Sequence, residues 1–153
     1  MALLFVPVSA AGLADWARTG VLAGRHAAFT AGRGLLEAFG LAEGEEAEHV
    51  ALLAASVASL AATGRRLVAV AEAGPLPAPD GDPDFGEVRT AELPYAAVQS
   101  LFADEPGAPG VEAAATAASG KDLAEAWELP EVVSLLETAD LLWHGPGEWD
   151  SLG

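Results

Sequence analysis

A long helical pattern that runs directly into an apolar strand, over residues 45–73, constrains the fold of this chain more than any other feature. Apolar residues recur there at intervals of three and four, which places them on one face of an α-helix. The residues of this predicted face are Val50, Leu53, Ala54, Val57, Leu60 and Ala61. Gly64 then ends the helix, and the continuously apolar run Leu67–Ala71 is typical of a strand that is buried on both faces. We therefore expect a buried pair of helix and strand, and nothing on it indicates catalysis.

Two shorter strand patterns precede this pair, and each one leads into a helix. The run Leu3–Val8 predicts the first strand, and Ser9 follows it as a candidate helix cap. A second strand is predicted over Arg25–Thr30, with Thr30 itself as the candidate cap of the next helix.

The pattern after residue 73 is less regular. Four prolines between residues 74 and 84 predict an exposed loop, and Glu87–Leu93 predicts a further strand. Pro94 stands where a helix begins, with Tyr95, Val98 and Leu101 at three-residue spacing. Residues 100–103 fit another strand equally well, so both interpretations stay open here.

The carboxyl-terminal third predicts helices and one last strand. Residues 111–119 form an alanine-rich helical pattern, and residues 121–137 predict a helix that Pro130 divides in two. Leu141–Trp143 fits a closing strand. Residues 1–153 thus predict one α+β domain with a small central sheet packed by helices. A weak strand–helix repeat around Pro7 and Pro94 would suit a ferredoxin-like sandwich.

The charge of the chain is strongly negative and unevenly spread. The net charge is −16, and residues 76–153 carry sixteen acids against Arg89 and Lys121, which gives −14 for that half. Direct binding of nucleic acid is therefore not expected, because phosphate contacts need clustered Lys and Arg. Anionic membranes are disfavoured for the same reason. The acids serve solubility or meet a basic partner.

Other sequence features exclude several classes of site. The chain has no cysteine, so zinc–thiolate sites and thiol catalysis are excluded, and no apolar run approaches the ~20 residues of a membrane span. We expect a cytoplasmic protein without a cofactor. Asp80, Asp82 and Asp84 match the start of a calcium loop. Phe85 and Ala91 stand where that loop needs Gly and Glu, so no metal site is predicted.

The candidate binding residues are few, and no catalytic residue is predicted. No Gly-x-Ser-x-Gly elbow or phosphate-binding loop is present, and the three histidines do not form a metal-binding pair. His144 is the best candidate for a functional imidazole because it lies beside Trp143 and a Gly-Pro-Gly turn. We hypothesise a cleft that brings Arg25 and His26 together with Trp143 and His144. Trp149 is the remaining aromatic candidate.

Several segments together resemble a known family, a group of small acidic, uncharacterised bacterial proteins classed as a domain of unknown function. The segments that carry the resemblance are Leu4-Phe5-Val6-Pro7, Ala27-Ala28-Phe29-Thr30, Glu45–Leu52, Arg65–Ala71, Leu93-Pro94-Tyr95-Ala96-Ala97-Val98 and Leu141-Leu142-Trp143. After the last segment the family continues as a strand, whereas His144-Gly145-Pro146-Gly147 breaks the pattern here. The resemblance implies a compact α+β domain and no assigned activity.

Two functional hypotheses follow from these observations. The first is a non-catalytic binding or regulatory domain whose acidic second half meets a basic protein partner, with self-association as a further use of the same charges. The second is a small-molecule-binding domain or minor enzyme with a cleft near His26 and His144.

Overall fold

The computed structural model describes residues 2–153 and confirms the α+β class, with helices packed on a six-stranded sheet. Met1, the first residue of the predicted domain, lies outside the described residues. The strands are β1 (Ala2–Pro7), β2 (Val21–Leu22), β3 (His26–Phe29), β4 (Leu67–Ala73), β5 (Glu87–Thr90), β6 (Leu93–Pro94), β7 (Val98–Ala103) and β8 (Leu142–His144). The α-helices are α1 (Ala10–Thr19), α2 (Arg33–Phe39), α3 (Glu45–Thr63), α4 (Val111–Ala118), α5 (Leu123–Trp127) and α6 (Pro130–Thr138). Short 3₁₀ helices cover Pro83–Phe85, Tyr95–Ala97 and Pro146–Leu152.

The main sheet is antiparallel throughout, in the order β5-β3-β1-β4-β7-β8, and β2 pairs with β6 in a separate two-stranded ribbon. The first and fourth strands lie at its centre, where Phe5 faces Val70 in register. The ferredoxin-like repeat is not confirmed, because the segment after Pro94 is a 3₁₀ turn and a strand instead of a helix.

Alternate residues of the central strands fill two separate cores, as the period of two in a strand requires. On one face, β1 contributes Leu4 and Val6, which pack with Trp16 of α1 and with Leu152 near the carboxyl end. On the other face, residues such as Phe5 pack against α2 and α3. The predicted buried strand is therefore confirmed, since every residue of Leu67–Ala71 is buried.

The helix α3 lies between the sheet and the carboxyl-terminal helices, and the predicted burial of a single face is wrong in detail. Val50, Leu53 and Ala61 are only half-buried. Small residues instead approach the sheet, because helix and sheet sit close together. The fully buried residues of α3 that pack in this second core are Ala47, Ala51, Ala54 and Ala55. Val57 and Leu60 contact α4, α5 and α6 in a third core.

The sequence predicts side-chain caps for two helices, and the structure contains one of them. Ser9 caps α1 as predicted, with its Oγ accepting a hydrogen bond of 2.9 Å from the Gly12 N–H. Thr30 was predicted to cap α2, and this is wrong. Its hydroxyl donates to the Leu3 carbonyl at 3.0 Å, and Gly32 occupies the cap position. Thr30 thus joins β3 to β1 instead of starting a helix.

The strand β7 replaces the helix that was predicted after Pro94. The pairing of β4 with β7 shifts register between Val70 and Ala71, whose partners are Ser100 and Val98. Gln99 is the extra residue of this β-bulge. The alternative prediction of a strand over 100–103 is therefore confirmed.

None of the helices in the described part of the chain has the length and apolar character that a membrane span needs.

Candidate functional site

The residues predicted to share one cleft lie in separate parts of the sheet. His26 begins β3, with Arg25 just before it, whereas Trp143 and His144 belong to β8. Strands β1, β4 and β7 lie between them. Four strand spacings of ~4.8 Å separate the two pairs by about 19 Å. The structure therefore places these residues in two separate locations.

Arg25 and His26 have local partners near the β5 edge. Arg25 Nη2 lies 3.5 Å from Asp80 Oδ2, and both side chains are mostly exposed. His26 Nε2 lies 2.8 Å from the Ala23 carbonyl oxygen, so the tautomer with a proton on Nε2 donates a hydrogen bond there. Both side chains thus stabilise the loop that enters β3.

Trp149 anchors the carboxyl-terminal 3₁₀ helix to the body of the protein. Its ring packs against the first core, and the Arg18 Cζ lies 5.3 Å from the ring centroid, within cation–π range. Tyr95 supports the same segment, since its hydroxyl donates to the Pro146 carbonyl at 2.7 Å. Burial raises the pKa of Tyr95, which favours the neutral hydroxyl that donates this bond.

The β8 strand exposes large apolar side chains at an open edge of the sheet. The side chain of Trp143 is 62% exposed and that of Leu142 is 42% exposed. Trp143 faces Phe102 across the strand pair, and Leu142 faces Ala103. Within residues 2–153, β8 pairs with β7 alone, so its other edge lacks a strand partner. An open edge with exposed apolar residues is the surface feature that most suggests binding.

His144 is the last residue of that edge strand and leads into a tight turn. Its Nδ1 lies 3.7 Å from Glu148 Oε1, and its side chain is mostly buried. The other oxygen of Glu148 accepts a hydrogen bond from the Gly145 N–H at 2.6 Å. Glu148 therefore fixes the turn that ends β8 and holds the imidazole beside it.

A cleft of about 370 Å³ adjoins His144 at the end of β7 and β8. Arg65 and Asp104 contribute charged groups to its wall, and Leu142 contributes an apolar side chain. Trp143 projects to the other face of the sheet, because neighbouring residues of a strand alternate. The cleft and the exposed indole thus lie on opposite sides of the same strand.

Negative charge is denser in the carboxyl-terminal third than in the rest of the chain. Residues 104–153 contain eleven acids and a single cation, Lys121. Among the described residues, three of these acids have a cation or histidine within 4 Å: Asp104, Glu125 and Glu148. We call the exposed acids without such a partner the acidic surface. It consists of Glu105, Glu112, Asp122, Glu128, Glu131, Glu137, Asp140 and Asp150.

Two members of the acidic surface line one groove. Glu112 of α4 and Glu131 of α6 border a shallow groove of about 660 Å³ between these helices. Ala113, Thr116 and Ala117 form part of the same wall. Small side chains leave the groove open to solvent, so the two carboxylates remain accessible.

Three arginines of the first half each have a local partner. Arg33 lies 3.5 Å from Glu37 on the same helix, and Arg25 and Arg18 contact Asp80 and Trp149 as described above. Arg66, in contrast, is fully buried.

Arg66 makes a buried ion pair that the sequence analysis missed. Its Nε lies 3.1 Å from both carboxylate oxygens of Asp104, and its Nη2 donates to Asp104 and, at 2.9 Å, to the Ala139 carbonyl. The residue has the same parity as Val68 and Val70, which face the helices. The period of two along the strand was the sequence signal from which the burial of Arg66 could have been predicted. Arg66 thus ties the end of α6 to β4.

The part of the chain that the structure describes forms no metal centre. No three or more acidic or histidine side chains within residues 2–153 come together as metal ligands. The aspartates of the calcium-like spacing have other roles, since Asp80 pairs with Arg25 and Asp82 Oδ1 accepts from the Asp84 N–H at 3.0 Å. The 3₁₀ helix that begins at Pro83 explains this second contact.

The comparisons with known proteins give one match. A family model described as a family of unknown function, DUF6912, matches residues 3–152, which is nearly the whole chain. This confirms the resemblance to a domain of unknown function. No curated protein and no solved structure matches the chain.

Proposed function

Because the chain belongs to the family of unknown function DUF6912, we propose its function from the charge and geometry of its own surface. It is a non-catalytic binding or regulatory domain that acts on a basic protein partner, and it works in the bacterial cytoplasm. The acidic surface of residues 104–153 provides the attraction.

The concentration of unpaired acids in one folded unit is the observation that carries this proposal. Residues 104–153 have a net charge of −10. Solubility alone needs a net charge of about 2 to 8 in magnitude for a small domain, spread over the molecule. This segment exceeds that range by itself, and its helices α4, α5 and α6 pack together in one core. A basic protein would find many carboxylates on one rigid support.

The proposal is tested with a variant that removes charge without changing shape. Glu112→Gln, Glu128→Gln, Glu131→Gln and Glu137→Gln together remove four charges from the acidic surface. The matched control removes four exposed charges elsewhere and consists of Asp15→Asn, Glu37→Gln, Glu43→Gln and Glu92→Gln. Wild type and both variants serve as baits in a pull-down from host cells, and mass spectrometry identifies the captured proteins.

We expect basic proteins that the wild type and the control capture and that the acidic-surface variant does not. Their affinity for the wild type, measured on purified proteins, should fall steeply between about 0.1 M and about 1 M salt, because the Debye length shortens from ~10 Å to ~3 Å. Equal capture by all three baits, or binding that ignores salt, contradicts the proposal. Circular dichroism of each bait checks that it is folded.

The cleft beside His144 favours a second candidate function, a small-molecule-binding domain. Its volume of about 370 Å³ lies within the range of ligand pockets, and its wall combines Arg65, Asp104 and the apolar Leu142. His26 takes no part in this cleft, since it lies in β3. Screening small anions by thermal shift, with His144→Ala as the control, tests it: stabilisation that is equal in both proteins would reject His144 as a ligand contact.

A further inference from the structure

We infer that the open edge of β8 is the docking strand for the partner: an extended, basic segment of that protein adds to the sheet beside Leu142, Trp143 and His144. This inference rests on the proposed function, because it takes the partner to be basic. It adds the mode of recognition, which is addition of a strand to a sheet edge.

The edge offers backbone groups for such a strand. β8 pairs with β7 on one side and with no strand of residues 2–153 on the other. In an antiparallel pair, alternate residues turn their N–H and C=O groups away from the partner strand. These outward groups would bond to the backbone of an added segment, as at other sheet edges.

The extended backbone reaches beyond the three paired residues. Ala139, which follows α6, has φ −129° and ψ 107°, and Gly145 has φ −71° and ψ 157°. Both values lie in the extended region. The N–H and C=O groups of both residues are already bonded within the chain, those of Ala139 to Leu135 and Arg66 and those of Gly145 to Glu148. An added segment therefore pairs with the residues between them.

The apolar side chains on this edge provide contacts on both faces of the added segment. Trp143 projects to one face, and Leu142 projects to the other. Their exposed fractions of 62% and 42% are high for large apolar residues. Burial of an aromatic side chain by a partner is among the strongest single contributions to binding. The opposite edge strand, β5, has less to offer, because the Pro79–Val88 bridge covers part of it.

Charge favours a basic segment over a second copy of this chain. Asp140 stands just before β8, Glu105 follows β7 at the same end, and neither has a cation within 4 Å among the described residues. Arg65 is the opposing charge on the nearby cleft wall. Edge-to-edge pairing of two copies would bring together two molecules of net charge −16. Lysines or arginines of a partner would be attracted instead.

The probe is an eight-residue peptide in which Lys and Val alternate, blocked at both ends. Two further peptides carry N-methyl groups on every lysine amide or on every valine amide. In an added strand, one of these sets faces β8 and the other faces solvent. The two modified peptides have equal charge and composition, so they differ only in which backbone hydrogen bonds they prevent.

We expect the unmodified peptide to bind the full chain at low salt and to slow hydrogen exchange of the backbone amides in residues 140–144. One N-methylated peptide should bind about tenfold more weakly and the other within about twofold of the parent, since only one set loses hydrogen bonds to the edge. Trp143→Thr should weaken binding about fivefold, whereas Leu76→Thr, an exposed leucine in the loop after β4, should not.

Three results would overturn the inference. Equal binding of both N-methylated peptides, with no protection of residues 140–144, would mean that charge alone holds the peptide, and the proposed function would survive. No binding of the parent peptide would reject the edge as a strand acceptor. A dimer of the free protein at low salt and pH 7 that Trp143→Thr dissociates would assign the edge to a second copy. The proposed function fails separately, when the acidic-surface variant captures the same proteins as the wild type.

Discussion

Arg66 is the residue whose environment differs most from what its charge predicts. Its side chain is fully buried and that of Asp104 is only 11% exposed. Desolvation of two charges is costly, and the guanidinium meets that cost with bonds to the carboxylate and to the Ala139 carbonyl. Its Nη1 finds no hydrogen-bond partner within residues 2–153. The pair is therefore sensitive to the loss of either member.

Replacing Arg66 alone should destabilise the protein strongly. Arg66→Met leaves the Asp104 carboxylate buried without a partner, and we expect the free energy of unfolding to fall by about 3–5 kcal/mol. Removing both charges, with Asp104→Leu added, should recover much of that loss. Urea denaturation measures each variant. Arg33→Met, which removes one member of an exposed pair, is the control and should change stability by less than about 0.5 kcal/mol.

Tyr95 gives the protein a pH dependence at the alkaline end. Burial raises its pKa above the usual value of 10.0, so the folded state holds the phenolic proton more tightly than the unfolded state does. The contribution is complete below pH 10 and is lost as the pH rises through the folded pKa. Urea denaturation between pH 8 and pH 11 should show this decline in the wild type. In Tyr95→Phe the component should be absent; an identical decline in both proteins would assign it to other groups.

The candidate site shows where residue-level prediction from the sequence stops. The sequence offers Trp143 as a candidate beside the Gly-Pro-Gly pattern, and in the structure this residue is 62% exposed. Its predicted grouping with His26 depended on strand order. That order is set by long-range pairing of β1 with both β3 and β4, and residue spacing carries no information about it. The two groups of residues in this hypothesis therefore lie in strands that are separated by three others.

At the scale of elements, the close approach of α3 to the sheet explains its composition. Ala51 is fully buried in the second core, whereas Ala62, on the last turn of the same helix, is exposed. We expect Ala51→Leu to lower the free energy of unfolding by about 1–3 kcal/mol, because extra methylene groups would push the helix off the strands. Ala62→Leu should be nearly neutral, since Leu and Ala have similar helix propensities. Thermal denaturation compares the two, and equal losses would disprove the tight packing.

Helices and strands were predictable where the sequence shows a helical or a strand periodicity alone. They were missed where both periodicities fit the same residues. The α3–β4 pair was predicted because each pattern is long and uninterrupted. The bulge at Gln99 places Val98 and Leu101 on the same face although they are three residues apart. This spacing imitates a helix, so the sequence favoured a helix after Pro94 as strongly as a strand. A local irregularity thus concealed β7.

At the scale of the whole molecule, the negative net charge opposes the tendency of the open β8 edge to pair with other copies. An exposed edge strand with a large aromatic residue tends to pair with other copies. A net charge of −16 opposes such pairing through repulsion between molecules, and this repulsion weakens as the carboxylates gain protons toward the pI of about 4.2. The charge therefore keeps the edge free for an oppositely charged partner.

This balance predicts self-association when the repulsion is removed. Light scattering at pH 7 should show a monomer at low salt and oligomers at about 1 M salt, where the Debye length is only ~3 Å. The same change is expected as the pH falls toward 4.5, with circular dichroism recording that the fold persists. Trp143→Thr should suppress the oligomers without altering net charge. Leu76→Thr removes an equally prominent apolar side chain from a loop and should not. If both variants associate like the wild type, the β8 edge is not the contact, and the charge protects some other surface.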